Sequence, residues 1–484
     1  MSPARPGFVR SLPQLAGRAN VFHMPRSRVL LASLSVAVLT GCATYRPKPL
    51  NAGATFAQLD GRRLDDGGLR QFLATHGQPA GDEWDLPRLT LAGLYFSPEL
   101  DLARAQVLEA EAGIRAADVR PNPTFSFSPG YDDSAPGGTS PWILGYALNV
   151  PIEIAGQRGH RTAEARHRTE VARFNLAGRA WTVRSAVRRA LTELQAAEAT
   201  AGLWRGQRPL LTDAARIVEA QVKAGDVSPL HVAQAHIAVS RADLATRESE
   251  RAVTAARSQL ALALGVPLAA VSAVRVSFRG LSDAADATSA VEARTWAAKN
   301  RADLLAELAA YAAAEAALQG EIARQYPDLT LRPGYELDQG DGKWSLGIGV
   351  TLPVWHQNQG PIAAAKARRD VAAARFLALQ NRILAEVDRA HADHEASLDE
   401  LETVKAIREG LERQTRLIEA QQRAGESSRL DLVRARIELA DQARVELEAR
   451  VRATRALAAL EDAVQRPLSW PDSTWRTSPR VSSQ

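Results

Sequence analysis

Cysteine, methionine, aromatic side chains and long apolar runs are all scarce in this chain. Cysteine occurs once, as Cys42, so no disulfide can form within the chain. Two methionines are too few to line a thioether path for copper. Aromatic residues make up 5% of 484 residues, a poor basis for the compact aromatic core of an enzyme. No charge-free apolar stretch reaches the roughly 20 residues of a membrane-spanning helix, so any passage through a membrane must use β-strands. Charge of one sign is missing too. The 60 basic residues are interleaved with 55 acidic ones, leaving a net charge of +5. That mixing describes solvated helix faces and excludes a nucleic-acid tract. There is no phosphate loop, nucleophile motif or HExxH pair. The chain therefore reads as a non-enzyme that needs no cofactor.

What is abundant is alanine, leucine, arginine and glutamate, the composition of long helices in close packing. The N-terminal region is different. Arg26 and Arg28 precede an apolar run from Val29 to Leu39, which ends in Leu39-Thr40-Gly41-Cys42. A basic start, a short apolar stretch and a small-residue cleavage site describe a secretory signal. Its ending resembles the lipobox of bacterial lipoproteins, which implies acylation of Cys42 as the mature N-terminus. Ala43, where an aspartate would favour the inner membrane, implies the outer membrane. Residues 1–23 are read as an upstream extension before a start at Met24, 24–41 as the signal peptide and 42–95 as the lipid-anchored segment.

The remainder is written twice. Pro123, Phe125, Phe127, Pro129, Gly130 and Tyr131 return as Pro327, Leu329, Leu331, Pro333, Gly334 and Tyr335. Trp142, Leu144, Tyr146 and Leu148 return as Trp344, Leu346, Ile348 and Val350. Ala224-Gly225-Asp226 with Ser228 and Leu230 returns as Ala424-Gly425-Glu426 with Ser428 and Leu430, and Pro267-Leu268 as Pro467-Leu468. The repeats are placed at 96–268 and 299–468, with a linker at 269–298 and a tail at 469–484.

Each copy has one grammar. A helix (98–119 or 301–324) leads to a strand (124–131 or 328–335), a polar loop (132–141 or 338–343) and a second strand (142–152 or 344–354). Strict alternation over about 11 residues, with an aromatic residue at the strand start, is the pattern of a transmembrane barrel strand. Runs of about 65 residues follow, enough for helices of about 100 Å. Pro209 and Gly410 are expected to mark kinks or irregular turns in them. Gly225 and Gly425 end the runs as C-caps, and Ser228 and Ser428 stand as N-caps of returning helices. The fold class expected is mainly α with β: a duplicated helix–β-hairpin–helix in which long helices form an α-barrel and four strands join an oligomeric transmembrane β-barrel. Four strands cannot close a barrel alone, and open edges are not tolerated in lipid. A ring of three chains with twelve strands closes, as would a dimer with eight.

A duplicated helix–hairpin–helix with Gly-x-x-Ser-x-Leu turns resembles the TolC family of outer-membrane efflux proteins, over about 95–470. Arg120-Pro121-Asn122-Pro123, Pro151-Ile152-Glu153 and Gly156-Gln157-Arg158 resemble its CzcC-type subgroup, associated with heavy-metal cation efflux. The resemblance implies a homotrimer in outer-membrane lipid, a periplasmic helical tunnel, a membrane-fusion adaptor and an inner-membrane pump of the resistance–nodulation–division (RND) type. It places Gly225, Ser228, Leu230, Gly425, Ser428 and Leu430 at the periplasmic tip where the adaptor docks, and Asp431 at a possible gate. The first-copy counterpart of Asp431 is His231, and Ser427 stands where TolC has a basic residue, so TolC's closing salt links are not reproduced. Drug efflux or type I protein secretion is the alternative cargo. A periplasmic adaptor or a structural coiled-coil lipoprotein is the alternative class, disfavoured by hairpins lying between long helices. No metal site is assigned; His391 and His394, three apart on a helix, are weak candidates.

Overall fold

The computed structural model describes residues 44–78, 81–281 and 289–468. The signal segment, Cys42, part of the 269–298 linker and the C-terminal tail lie outside the described residues. Two units divide after Ala57. In the first, residues 44–57 are exposed throughout and turn helical at the start of α1 (Ala52–Asp60). All else described here belongs to the second.

That unit opens with α2 (Gly67–Thr75), β1 (Glu83–Trp84) and α3 (Leu86–Phe96). The first copy comprises α4 (Pro98–Ala117), β2 (Thr124–Tyr131), β3 (Trp142–Ile152), α5 (Gln157–Ala224) and α6 (Pro229–Leu264). A connector of α7 (Leu268–Ser272), β4 (Arg275–Val276) and α8 (Ala290–Asn300) follows. The second copy repeats the order as α9 (Ala302–Ala323), β5 (Leu329–Asp338), β6 (Asp341–Val350), α10 (Gln359–Ala424) and α11 (Arg429–Val464). The chain is mainly helical with few strands, as the sequence requires.

The long helices α5 and α10 hold 68 and 66 residues, about 100 Å each at 1.5 Å per residue. Each starts from a left-handed residue, Gly156 or Asn358, which swings the chain from strand to helix. Neither Pro209 nor Gly410 interrupts its helix, contrary to the irregular turns expected there. Packing along the full length of α5 outweighs the one hydrogen bond that Pro209 forfeits. Helix α5 is the hub, lying against α3, α4, α6, α9 and α11.

Two apolar cores repeat the duplication. Val187, Leu191 and Leu194 of α5 meet Leu260 and Leu264 of α6, closed over by Leu69 and Leu73 of α2 and Leu86 and Leu89 of α3. Ile383 and Val387 of α10 meet Leu460 and Val464 of α11, closed by Ala293 and Ala297 of α8. The stretches before each copy, α2–α3 and α8, thus cap equivalent places. β1 and β4 pair in parallel, joining the N-terminal segment to the connector.

The four long strands form one antiparallel sheet in the order β2-β3-β5-β6. The second hairpin is tighter than its sequence suggests. Pairing continues to Asp338 opposite Asp341, leaving a two-residue turn of Gln339 (φ 53°) and Gly340 (φ 105°). A turn with both central φ positive is usually signalled by Asn-Gly, so Gln-Gly read as a longer loop. Strand β6 ends at Val350, four residues before the alternation in the sequence does.

Candidate functional site

The sheet has two chemically opposite faces. Phe125, Phe127 and Tyr131 on β2 align with Leu148, Tyr146 and Trp142 on β3. Tyr146, Val150 and Ile152 then align with Tyr335, Leu331 and Leu329 on β5, and these with Trp344, Ile348 and Val350 on β6. One face is therefore apolar across all four strands, and it is bare: Trp344 is 85% exposed and Ile348 is 70% exposed. Aromatic rings collect at its loop end, with Tyr131 and Trp142 at 5.2 Å and Tyr335 and Trp344 at 4.8 Å. The opposite face carries Ser126, Ser128, Asn149, Thr330, Arg332, Ser345 and a series of glycines. The 11 residues of β3 extend about 35 Å. Tilted by 35–45°, they match the apolar band of an outer-membrane barrel, about 25 Å tall. The outer edges of β2 and β6 have no partner within the described chain.

At the far ends of the long helices, two turns share one construction. Gly225 and Gly425 adopt φ 85° and 80°. Beyond them Asp226 N–H donates to Gln221 O at 2.9 Å and Glu426 N–H to Gln421 O at 2.9 Å, each closing its helix in a Schellman motif. Ser228 and Ser428 then cap the return helices. The copies part at the third helical residue. Asp431 accepts from the Ser428 backbone N–H at 3.1 Å and hydroxyl at 2.6 Å, completing a capping box. His231 stands in its place in the first copy, and there the Ser228 hydroxyl accepts from Leu230 N–H, at 3.3 Å, with no reciprocal carboxylate. The Ser428 hydroxyl and N–H hold the Asp431 carboxyl below its usual range, so this exposed group is ionised at neutral pH.

The turns also differ in burial. Leu430 is 7% exposed, whereas Leu230 is 63% exposed. Arg429 binds Asp213 of α5 at 3.1 Å, and Arg216 reaches the same carboxylate at 2.5 Å. The start of α11 is therefore pinned to the last turns of α5, and a groove lined by Ile217, Ala220, Asp226 and Arg429 runs between the two copies. Sequence reasoning found both turns but missed Asp213, because nothing local shows which helix receives Arg429.

It also missed an ionic seam that is buried at the core level and exposed further along. Along α5 and α11, Glu193 pairs with Arg455 at 2.6 Å and Gln207 with Asp441 at 2.9 Å. At the core level, Arg184 binds Glu461 at 2.7 Å, and Arg188 contacts the same carboxylate oxygen. All three side chains are fully buried. Asp462 accepts from Trp181 Nε1 at 3.0 Å and from Ser185. Burial pushes the Glu461 carboxyl up, but the two guanidiniums outweigh it and bring it down to about 2.

The histidine pair gains little support. His391 Nδ1 lies 3.3 Å from Glu395, and Asp388 is taken by Arg294 at 2.6 Å. Burial lowers the His394 pKa, keeping that ring neutral. Among the described residues no group of three or more His, Cys, Asp or Glu side chains gathers where a metal ion could be held. No described helix is long and apolar enough to cross a membrane.

Comparison with known proteins gives this architecture its place. Residues 94–266 and 295–464 each match the model of the outer membrane efflux protein family. The chain belongs to that family. The two matched stretches are the two copies, and this family is one of efflux channels. Among individual proteins, the cobalt-zinc-cadmium resistance protein CzcC of Cupriavidus metallidurans is 28% identical over 294 residues, covering 60% of this chain and 67% of CzcC. That likeness agrees with the CzcC-type motifs around both ends of the first hairpin. The fold is shared with the outer membrane protein VceC from Vibrio cholerae, at 18% identity and TM-score 0.64 over 79% of this chain and 96% of VceC. It is shared equally with CusC, at 16% identity and TM-score 0.64 over 88% of this chain and all of CusC.

Proposed function

We propose that three copies of this outer membrane efflux protein close into one pore, anchored by acylated Cys42, that carries heavy-metal cations outward from a periplasmic adaptor and an RND-type pump. One observation carries the reading: a four-stranded sheet with a wholly apolar exposed face and two unpaired edges. In lipid that sheet is satisfied only when β6 of one chain pairs with β2 of the next. A ring of three gives twelve strands, and the glycine-rich face becomes the inner wall.

The helices support the same closure through internal symmetry. Shifting the α5–α11 seam by 200 residues (Ser185 to Ala385, Asp462 to Leu262) maps it onto α10 and α6. There the polar seam residues Arg184, Gln207, Asp462 and Arg444 (its guanidinium 4.2 Å from the Trp204 ring of α5) become Leu384, Ile407, Leu262 and Leu244. All four of those apolar side chains are exposed, Leu262 by 74%. Within a chain the repeats are joined by ions; the equivalent seam is apolar at these four positions and keeps charge where Arg188, Glu193 and Asp441 become Asp388, Asp393 and Arg241. Metal cations as cargo rest on the likeness to CzcC. Docking of the adaptor at the two turns rests on the exposed Leu230 and the groove beside Arg429.

The test is a disulfide across the seam between chains. Leu262→Cys with Ala385→Cys reproduces the contacting pair Ser185–Asp462 and should give a three-chain ladder in outer-membrane fractions under oxidation. Dimers alone, or no cross-link in a folded protein, would sink the ring. Sensitivity of a deletion strain to cobalt, zinc or cadmium, rescued by the chain, checks the cargo.

A further inference from the structure

The inner face of the sheet holds one positive charge that the proposed pore has not yet used. Arg332 lies on β5, opposite Gly347 of β6. Its Nε donates to Asn149 Oδ1 on β3 at 3.2 Å. A Cβ on Gly349 would meet its guanidinium carbon at 3.6 Å, so the side chain lies along a wall that glycine leaves open. Among the described residues no carboxylate forms an ion pair with it. The other strand cation, Lys343, is neutralised by Asp338 at 2.5 Å. Nearer the loops the same face carries Glu336 and Asp341, with Asp132 and Asp133 in the loop between β2 and β3. The wall is thus basic at one level and acidic at its mouth. In the first copy Ser128 stands where Arg332 stands in the second, so the charge appears once per chain.

We infer that Arg332 sets the ion preference of the membrane segment of the pore. Resting on the ring of three, three guanidiniums form a basic band inside the wall that gathers anions and holds back bare cations, as charged rings do in other pores. A metal cation passing this band travels with counter-ions or chelating anions. Three unit charges about 10 Å from an ion in water, screened at 0.1 M salt, raise anions about twofold and lower cations about twofold. The anion-to-cation ratio therefore changes about fivefold. At 1 M salt, where the screening length is about 3 Å, the effect disappears.

Reversal potentials of the full-length protein in planar bilayers, under a KCl gradient near 0.1 M, read this ratio. Arg332→Gln should lower it about fivefold, Arg332→Glu should drive it further toward cations, and Arg332→Lys should keep it, with all differences collapsing near 1 M. Should a variant not assemble, Arg332→Cys provides the alternative. A positively or negatively charged thiol reagent, added after channels have formed, should move the ratio in opposite directions. Channels whose ratio ignores these changes overturn the role of Arg332. A wild-type protein that forms no channel overturns the ring instead.

Discussion

Glutamine in place of Glu461 would leave two buried guanidiniums facing a neutral amide at the seam between the repeats. Two routes give the size of the effect. Removing one partner from a buried, hydrogen-bonded ion cluster costs about 3–5 kcal/mol, because the remaining charges lose their compensation. Independently, the Glu461 carboxyl falls from 4.5 to about 2 on folding. At about 1.4 kcal/mol per tenfold change in proton affinity, that corresponds to about 3 kcal/mol. The folded-state value lies below the unfolded one, so this stabilisation is complete above about pH 4.5. It is lost as the pH falls toward about 2.

Thermal melting followed by circular dichroism, at one fixed protein concentration in detergent, measures both consequences. At pH 7 Glu461→Gln should melt several degrees below the wild type. Acidification from pH 5 to 2 should then narrow the gap, because the wild type loses the contribution that the variant already lacks. A triple variant, Arg184→Met with Arg188→Met and Glu461→Leu, should recover most of the loss, since an apolar replacement removes the stranded charges as well. The reasoning fails if Glu461→Gln melts within a degree of the wild type at pH 7, or if the gap stays constant down to pH 2.

Two further outcomes concern the ends of the chain and of the helices. Gly425→Ala places a Cβ in the left-handed region at φ 80° and should cost about 1 kcal/mol locally. Pull-down of the adaptor should weaken while the heat-modifiable barrel, read by gel migration, is unchanged. Cys42→Ser should abolish incorporation of labelled palmitate; continued labelling would show that the acylated residue lies elsewhere.

How much of this was legible beforehand follows from the range over which each interaction acts. β2 and β3 were readable to the residue, because period-two alternation between prolines and aromatic residues is a local signal. The caps at Gly225, Ser228, Gly425 and Ser428 were equally local. Strand β6 shows where such reading stops. Its apolar alternation continues through Leu352 and Val354, yet pairing ends at Val350, which already faces Leu329, the first residue of β5; Leu352 would fall opposite Pro327, which has no N–H to give. Arg184, Arg188 and Glu461 were illegible for the opposite reason. On a helix rich in arginine and glutamate each looks like another solvated charge, and only a partner 273 to 277 residues away in sequence makes them interior. Duplication adds a clue that composition cannot. Where one copy has Arg184 and Asp462, the other has Leu384 and Leu262, so part of a seam written in charge within the chain is apolar on the face that the proposed ring brings against a neighbouring chain. Charges buried inside one chain can be matched as it folds, whereas a surface that waits for its neighbour is less costly to cover when it is apolar.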